Sequence, residues 1–189
     1  MNENIKAFFD EVALGYSHDD SKIIDELLDS LHLERYHRIL DLGCGKGIIS
    51  SRLAEKSQGE VVALDISSKM IECAKKAVKD SRVKFVNDNF YEYNDEPFDA
   101  IICFDAFPHF IEVDAFVLKA NEFLKKDGML AILHDIGRER LNSHHEAHAK
   151  KVSRPLNEPK VEAETFLRFF EPIELFENSE TYKLILKKK

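Results

Sequence analysis

Cysteine is scarce in this sequence, occurring three times in 189 residues as Cys44, Cys73 and Cys103, and never in CxxC spacing. Neither a disulfide framework nor a zinc site is suggested, and the three read as reduced thiols of a cytoplasmic protein. Positive charge is also short: 27 Lys and Arg stand against 35 Asp and Glu, a formal net charge of -8. No overall positive field therefore exists to attract nucleic acid or an anionic membrane. Nowhere do 18 apolar residues follow one another, and the opening MNENIKAFFDE lacks a basic start with an apolar run. Membrane spanning and secretion are not expected.

What the chain does contain is alternation. Ile23, Ile24, Leu27, Leu28 and Leu31 recur at helical spacing, and a short apolar run follows over 38–42. The same pattern repeats as helix 48–56, strand 60–64, a helix after Ser67, strands 83–86 and 99–104, helix 113–124 and strand 129–134. The KKDG turn at 125–128 is expected to close the preceding helix with a glycine cap. Such alternation predicts an α/β fold with a mostly parallel sheet and helices on both faces. The last thirty residues differ: a helix over 161–170 precedes two strand-like segments, 173–177 and 181–186, whose short link predicts an antiparallel pair. Length and composition suit one domain, 1–189. Residues 136–160, polar and holding Pro155, Pro159 and much of the histidine, read as an active-site lid. The terminal KKK reads as a frayed end.

The segment Ile39, Leu40, Asp41, Leu42, Gly43, Cys44, Gly45, Lys46, Gly47 leaves a strand, passes through alternate glycines and enters a helix. Glycine permits both a tight turn and close approach of backbone to a ligand. A GxGxxG dinucleotide loop would need glycine where Ile48 stands. At the end of the next strand, Asp65 lies at the interval where an acidic residue can take a ribose hydroxyl pair. The alternative is a plain turn with Asp65 capping the next helix, a task Ser67 can perform instead.

ILDLGCGKG followed by VVALDIS resembles motifs I and II of class I S-adenosylmethionine (SAM)-dependent methyltransferases. VNDNF at 86–90 is similar to the third motif and DAIICFDAFPHF at 99–110 to the fourth. The opening FFDEVALGY is similar to the FFDxxAxxW/Y stretch of small-molecule members, in which the aromatic folds over the cofactor, so residues 1–20 would cover it. The resemblance implies a Rossmann-like, doubly wound, seven-stranded sheet with its last strand antiparallel. It also implies S-adenosyl-L-methionine as cofactor, contacted by Tyr16, Asp41, Gly43, Gly45, Asp65, Ile66, Met70, Asp88, Asn89 and Phe104. Asp88 would face the adenine amino group. Packing explains Phe104 equally well, and a turn explains Asp88.

Methyl transfer needs its nucleophile held in line, and it needs a base only when the acceptor arrives protonated. His134, ending the fifth strand, is the best-placed candidate, and His109, after the fourth, is the next. His134, His144, His145 and His148 crowd into fifteen positions. On a helix, His144 and His148 share a face, and with His134 or Asp135 they could hold a divalent metal; a solvated lid helix is the alternative. HDIGRERLNSHH is similar to an HxxSRExIN...H stretch of small methyltransferases, with Gly137 in place of Ser, which would set Arg138, Glu139 and Asn142 around the acceptor. FDAF lacks the paired prolines of amino-methylating nucleic-acid enzymes. Three readings follow: a methyltransferase acting on a small-molecule acceptor, a catalytically silent SAM-binding module serving as sensor or partner subunit, and a metal-assisted methyltransferase using the lid histidines.

Overall fold

The structure, a computed structural model, describes residues 2–13, 15, 21–149 and 151–189. The chain divides into two compact units, Met1–Asn94 and Asp95–Lys189. The first unit holds α1 (Asn2–Val12), α2 (Ser21–Asp29), β1 (Arg38–Leu42), α3 (Ser50–Lys56), β2 (Glu60–Asp65), α4 (Ser68–Ala77) and β3 (Val83–Asn87). The apolar runs of β1 and β2 are buried on both faces, with Ile39, Leu40, Val61 and Val62 fully enclosed, as parallel strands covered by helices require. β2 pairs in parallel with β1 and with β3, and its register sets Asp41 beside Ala63 and Asp65 beside Asn87. α2 buries the apolar face that its spacing predicts, through Ile24, Leu27 and Leu28.

The second unit holds β4 (Phe98–Phe104), α5 (Val113–Phe123), β5 (Leu124–His134), α6 (Arg138–His148), α7 (Pro159–Glu164), β6 (Phe170–Glu177) and β7 (Tyr182–Lys188). β4 and β5 are parallel, while β7 runs antiparallel to both β5 and β6. Its core is aromatic: Phe107 lies 5.0 Å from Phe116 and 6.0 Å from Phe166, centroid to centroid. Each such ring stabilises by roughly 1.5–3 kcal/mol on burial. Seven strands in all follow the order β3-β2-β1-β4-β5-β7-β6, the mostly parallel arrangement with an antiparallel last strand that the sequence implied.

Three local expectations change. The KKDG segment is part of β5, where the register with β4 shifts between Phe98 and Ala100. Asp127, at φ 60, takes the left-handed position instead of Gly128. Gly128 is small for another reason, since a Cβ there would stand 2.8 Å from the Lys125 carbonyl oxygen. The helix expected over 161–170 runs only from Pro159 to Glu164. The terminal lysines are not frayed: β7 extends to Lys188, whose Nζ donates to the Leu124 carbonyl at 2.7 Å. Among the described residues, no helix is long and apolar enough to cross a membrane.

Candidate active site

In the first unit, the glycine loop leaves β1 with Gly43, Gly45 and Gly47 all at positive φ (74, 51 and 79°). Its first turn hangs on β2, because the N–H groups of Gly43 and Cys44 both donate to the Leu64 carbonyl. Gly45 N–H donates to Asp65 Oδ2 at 2.8 Å, and Ser67 N–H donates to Asp65 Oδ1 at 2.8 Å. Asp65 thus braces the loop and the entry to α4 together, while each carboxylate oxygen keeps a further acceptor site for a hydroxyl pair. Ser67, as expected, caps α4 by accepting the Met70 N–H at 3.1 Å. A side chain at Gly47 would meet Val78 Cγ2 at 3.1 Å, whereas one at Gly45 would meet nothing within 4 Å among the described residues. Packing within the protein therefore accounts for Gly47, and only backbone conformation and the open space ahead of the loop account for Gly45.

Asp41 is buried and accepts from Ser50 Oγ at 2.6 Å. Burial pushes its pKa up to about 7 against that hydrogen bond, with the Asp65 charge adding to the rise. Burial likewise raises Asp65 to about 6, against the lowering by its two backbone donors. Asp88 is exposed at the end of β3, its N–H donating to the Asp65 carbonyl and its Oδ1 accepting from Asn89 N–H. Asn89 is half-buried, as is Ile66, and Met70 is buried. The structure therefore gathers Gly43, Gly45, Asp65, Ile66 and Asp88 around the tips of β1–β3. Phe104 is buried at the end of β4 in the second unit. Tyr16 lies outside the described residues.

Sequence reasoning missed three partners here. Asp10 of α1 accepts from Ser67 Oγ at 2.6 Å and from Lys69 N–H at 3.2 Å, which ties α1 to the start of α4. Asn87 Nδ2 donates to the carbonyls of Asp65 and Ile66, and Ser50 holds Asp41. Only Asp10 carried a signal, as part of the FFDEV stretch.

The second unit builds a buried polar cluster at the end of β5. His134 is fully enclosed, with its Nδ1 3.1 Å from Asp105 Oδ1, and its ring meets Tyr182 edge-on at 5.7 Å. Burial lowers the His134 pKa to about 3 and that of His145 to about 4, so both are neutral imidazoles at neutral pH. His109, half-buried, donates or accepts through Nδ1 at the Val152 carbonyl (2.9 Å), lies 5.0 Å from the His145 ring, and is lowered to about 4, desolvation again dominating. Arg154 pairs with buried Glu162 through NH1 (3.1 Å) and NH2 (2.8 Å). Asp105, Arg154, Glu162 and Tyr182 were not singled out in the sequence; scattered from position 105 to 182, they share no spacing.

The metal expectation is overturned by geometry. His134 is buried, whereas His144 and His148 share a solvent-facing side of α6 with their rings 4.8 Å apart. The inward histidine of that helix is His145, on the side of buried Leu141. Among the described residues, no group of three or more ligating side chains could hold a metal ion. Arg138 and Asn142 are also engaged structurally: Arg138 pairs with Glu177 at 2.8 Å, and Asn142 bonds the backbone of Leu156 in both directions.

A glycine loop braced by a carboxylate at the tip of the next strand defines a Rossmann-like cofactor-binding protein. Residues 40–132, about half of the chain, match the family model for the methyltransferase domain, and the strand order is consistent with the class I SAM-dependent methyltransferases. It is 29% identical over 148 residues to the methyltransferase GfsG of Streptomyces halstedii, covering 69% of this chain and 53% of GfsG. To cyclopropane mycolic acid synthase 1 of Mycobacterium tuberculosis it is 36% identical over 118 residues, covering 60% of this chain and 41% of the synthase. The chain thus spans about half the length of the curated relatives it matches. The N-methyltransferase NodS of Bradyrhizobium japonicum WM9, solved with S-adenosyl-L-homocysteine, shares the fold at a TM-score of 0.74, with 14% identity and 98% of each chain covered.

Proposed function

We propose that the protein transfers a methyl group from S-adenosyl-L-methionine to a small-molecule acceptor in the cytoplasm. The observation that carries this reading is Gly45, left-handed, tied by its N–H to Asp65, and facing space that no side chain among the described residues would contest. The residues present fit the cofactor. The open space ahead of Gly45 suits the amino-acid tail of the donor, the remaining acceptor sites of Asp65 suit a ribose hydroxyl pair, and exposed Asp88 with Asn89 suits the adenine edge. When bound, the cofactor supplies an electrophilic methyl group. The chain positions the donor through these contacts, and His134 and His109, neutral at working pH, are the candidates to take the acceptor's proton.

The small-molecule assignment rests on the net charge of -8, which opposes nucleic acid, and on a relative named for mycolic acid. Calorimetry with SAM and with S-adenosylhomocysteine tests cofactor binding. We expect uptake of both, and in Asp65→Ala a loss of affinity of about 100-fold or more, because a desolvated charged hydrogen-bond acceptor disappears. No uptake of either by folded protein would refute the reading. Labelled SAM with a cell extract then tests the acceptor: label in the small-molecule fraction supports transfer, and binding without any labelled product would leave a silent SAM-binding module.

A further inference from the structure

Ser67, the buried residue that caps α4, stands between two carboxylates of the first unit. Its N–H donates to Asp65 Oδ1 at 2.8 Å, and its hydroxyl donates to Asp10 Oδ1 of α1 at 2.6 Å. A serine hydroxyl has one proton to give. Here that proton goes to Asp10, which leaves the oxygen's lone pairs for the Met70 N–H at 3.1 Å. The same Asp10 oxygen accepts the Lys69 N–H at 3.2 Å. The first N–H groups of a helix lack partners within it, and here Ser67 satisfies Met70 from the helix's own turn while Asp10 satisfies Lys69 from a different helix. A carboxylate also suits the positive end of the helix dipole. Burial raises the Asp10 pKa, but the Ser67 hydroxyl, the Lys69 N–H and the charges of Lys6 and Lys69 outweigh it and hold the group below its ordinary value. Asp10 is therefore ionised at neutral pH.

Asp65 reaches the glycine loop through one oxygen, which accepts from Gly45 N–H, and the start of α4 through the other, which accepts from Ser67 N–H. How that carboxylate is turned thus depends on where Ser67 sits, and Ser67 is held by a side chain 57 positions earlier. We propose that Asp10 is a positioning residue for donor binding: through Ser67 it fixes the orientation of the Asp65 carboxylate toward the ribose hydroxyl pair, and it thereby links the docking of α1 to cofactor uptake. The proposal rests on the SAM-binding reading and adds to it a control of that site by α1. Linkage is reciprocal: if the tether tightens nucleoside binding by some factor, bound nucleoside tightens α1 docking by the same factor. α1 also buries Ile5. Packing of that kind would hold the helix in place but would send nothing to Asp65, and the two roles separate by experiment.

Amide exchange and calorimetry with S-adenosylhomocysteine, both on the full chain, provide the test. In nucleoside-free Asp10→Ala the amides of Gly45, Ser67 and Lys69 should exchange about tenfold faster, and the dissociation constant should rise about tenfold, the yield of roughly one charge-assisted hydrogen bond. Alanine is the best helix former, so the substitution does not break α1 itself. Asp10→Asn keeps an oxygen that accepts from both donors and should stay within about threefold of wild type in both measurements. Saturating nucleoside should raise protection of the α1 amides about tenfold in the wild type and less than about twofold in Asp10→Ala. Exchange in the nucleoside-free chain involves no cofactor, so a failed brace and a failed SAM reading give different results. Wild-type exchange at Gly45 and Ser67 in Asp10→Ala, or wild-type nucleoside affinity whatever happens to α1, would overturn the proposal.

Discussion

The two units bury different ionisable groups, carboxylates beside the glycine loop in the first and imidazoles with an arginine–glutamate pair in the second. Met1–Asn94 encloses the carboxylates Asp41 and Asp65, whose pKa values burial lifts to about 7 and about 6. Asp95–Lys189 encloses imidazoles, with His134 lowered to about 3 and His109 and His145 to about 4. In both units desolvation penalises the charged form, but the consequence for stability has opposite sign. The carboxylates stabilise the fold when protonated, an advantage complete below their ordinary value of 3.8 and lost as pH rises through 6 and 7. The histidines stabilise it when neutral, an advantage complete above their ordinary value of 6.5 and lost as pH falls toward 3–4. At neutral pH the first unit therefore holds charge at a cost in stability, with Asp65 accepting from Gly45 and Ser67 N–H. The second, apart from the paired Arg154 and Glu162, holds neutral imidazoles.

The largest test of this contrast places an unpaired carboxylate in the second unit. Arg154→Met leaves Glu162 buried without its two guanidinium bonds. Removing one partner of a buried pair typically costs about 3–5 kcal/mol, which urea unfolding at pH 7.5 should register. A loss under about 1 kcal/mol would mean that Glu162 takes up a proton at little cost, and the second unit would then tolerate buried carboxyl groups as the first does. Next in size is the acid response. Amide exchange corrected for intrinsic rate should show protection in β5 falling between pH 7 and 4.5 and protection in β1 and β2 rising. Each proton taken up is worth about 1.4 kcal/mol per pH unit, so shifts of roughly 2 kcal/mol in opposite directions are expected. Shifts of the same sign in both units would break the comparison.

The two units were not equally legible in the sequence. β1, the glycine loop and Asp65 could be read because they are contiguous or tied by a fixed interval: a buried parallel strand is an unbroken apolar run, and the loop's backbone needs glycine at set positions. Ser67 was legible as a cap for the same local reason. The second unit depends on long-range meetings. His134 meets Tyr182 through the β5–β7 register, and Arg154 meets Glu162 through two hydrogen bonds across a turn of polar residues. Neither leaves a periodic trace. His134 was singled out because strand ends face ligands, but its neighbour Asp105 sits within FDAF, where the sequence offers a motif and no hint of left-handed backbone. The histidine crowding misled for a physical reason. Shared helical face predicts proximity, and His144 and His148 are indeed close, yet the shared face points to solvent while His145 turns inward.

The smallest expected effect on stability is also the sharpest on the loop. Gly45→Ala adds one methyl group that meets no atom of the described residues within 4 Å, so none of their packing is disturbed. The cost is backbone strain at φ +51, roughly 1 kcal/mol, and the chain should stay folded with a slightly lower urea midpoint. The methyl group would occupy the space ahead of the loop, however, so affinity for S-adenosylhomocysteine should fall at least about tenfold, more than one kcal/mol of strain in the free protein accounts for. Gly47→Ala is the control: its Cβ would press on Val78 and Phe85 at 3.1 and 3.3 Å, so stability should drop further through overpacking. If Gly45→Ala instead bound the nucleoside as the wild type does, the open space would have no ligand to serve. Asp65 would then be bracing a turn and nothing more, and the first unit's buried charge would lose the purpose that sets it apart from the second.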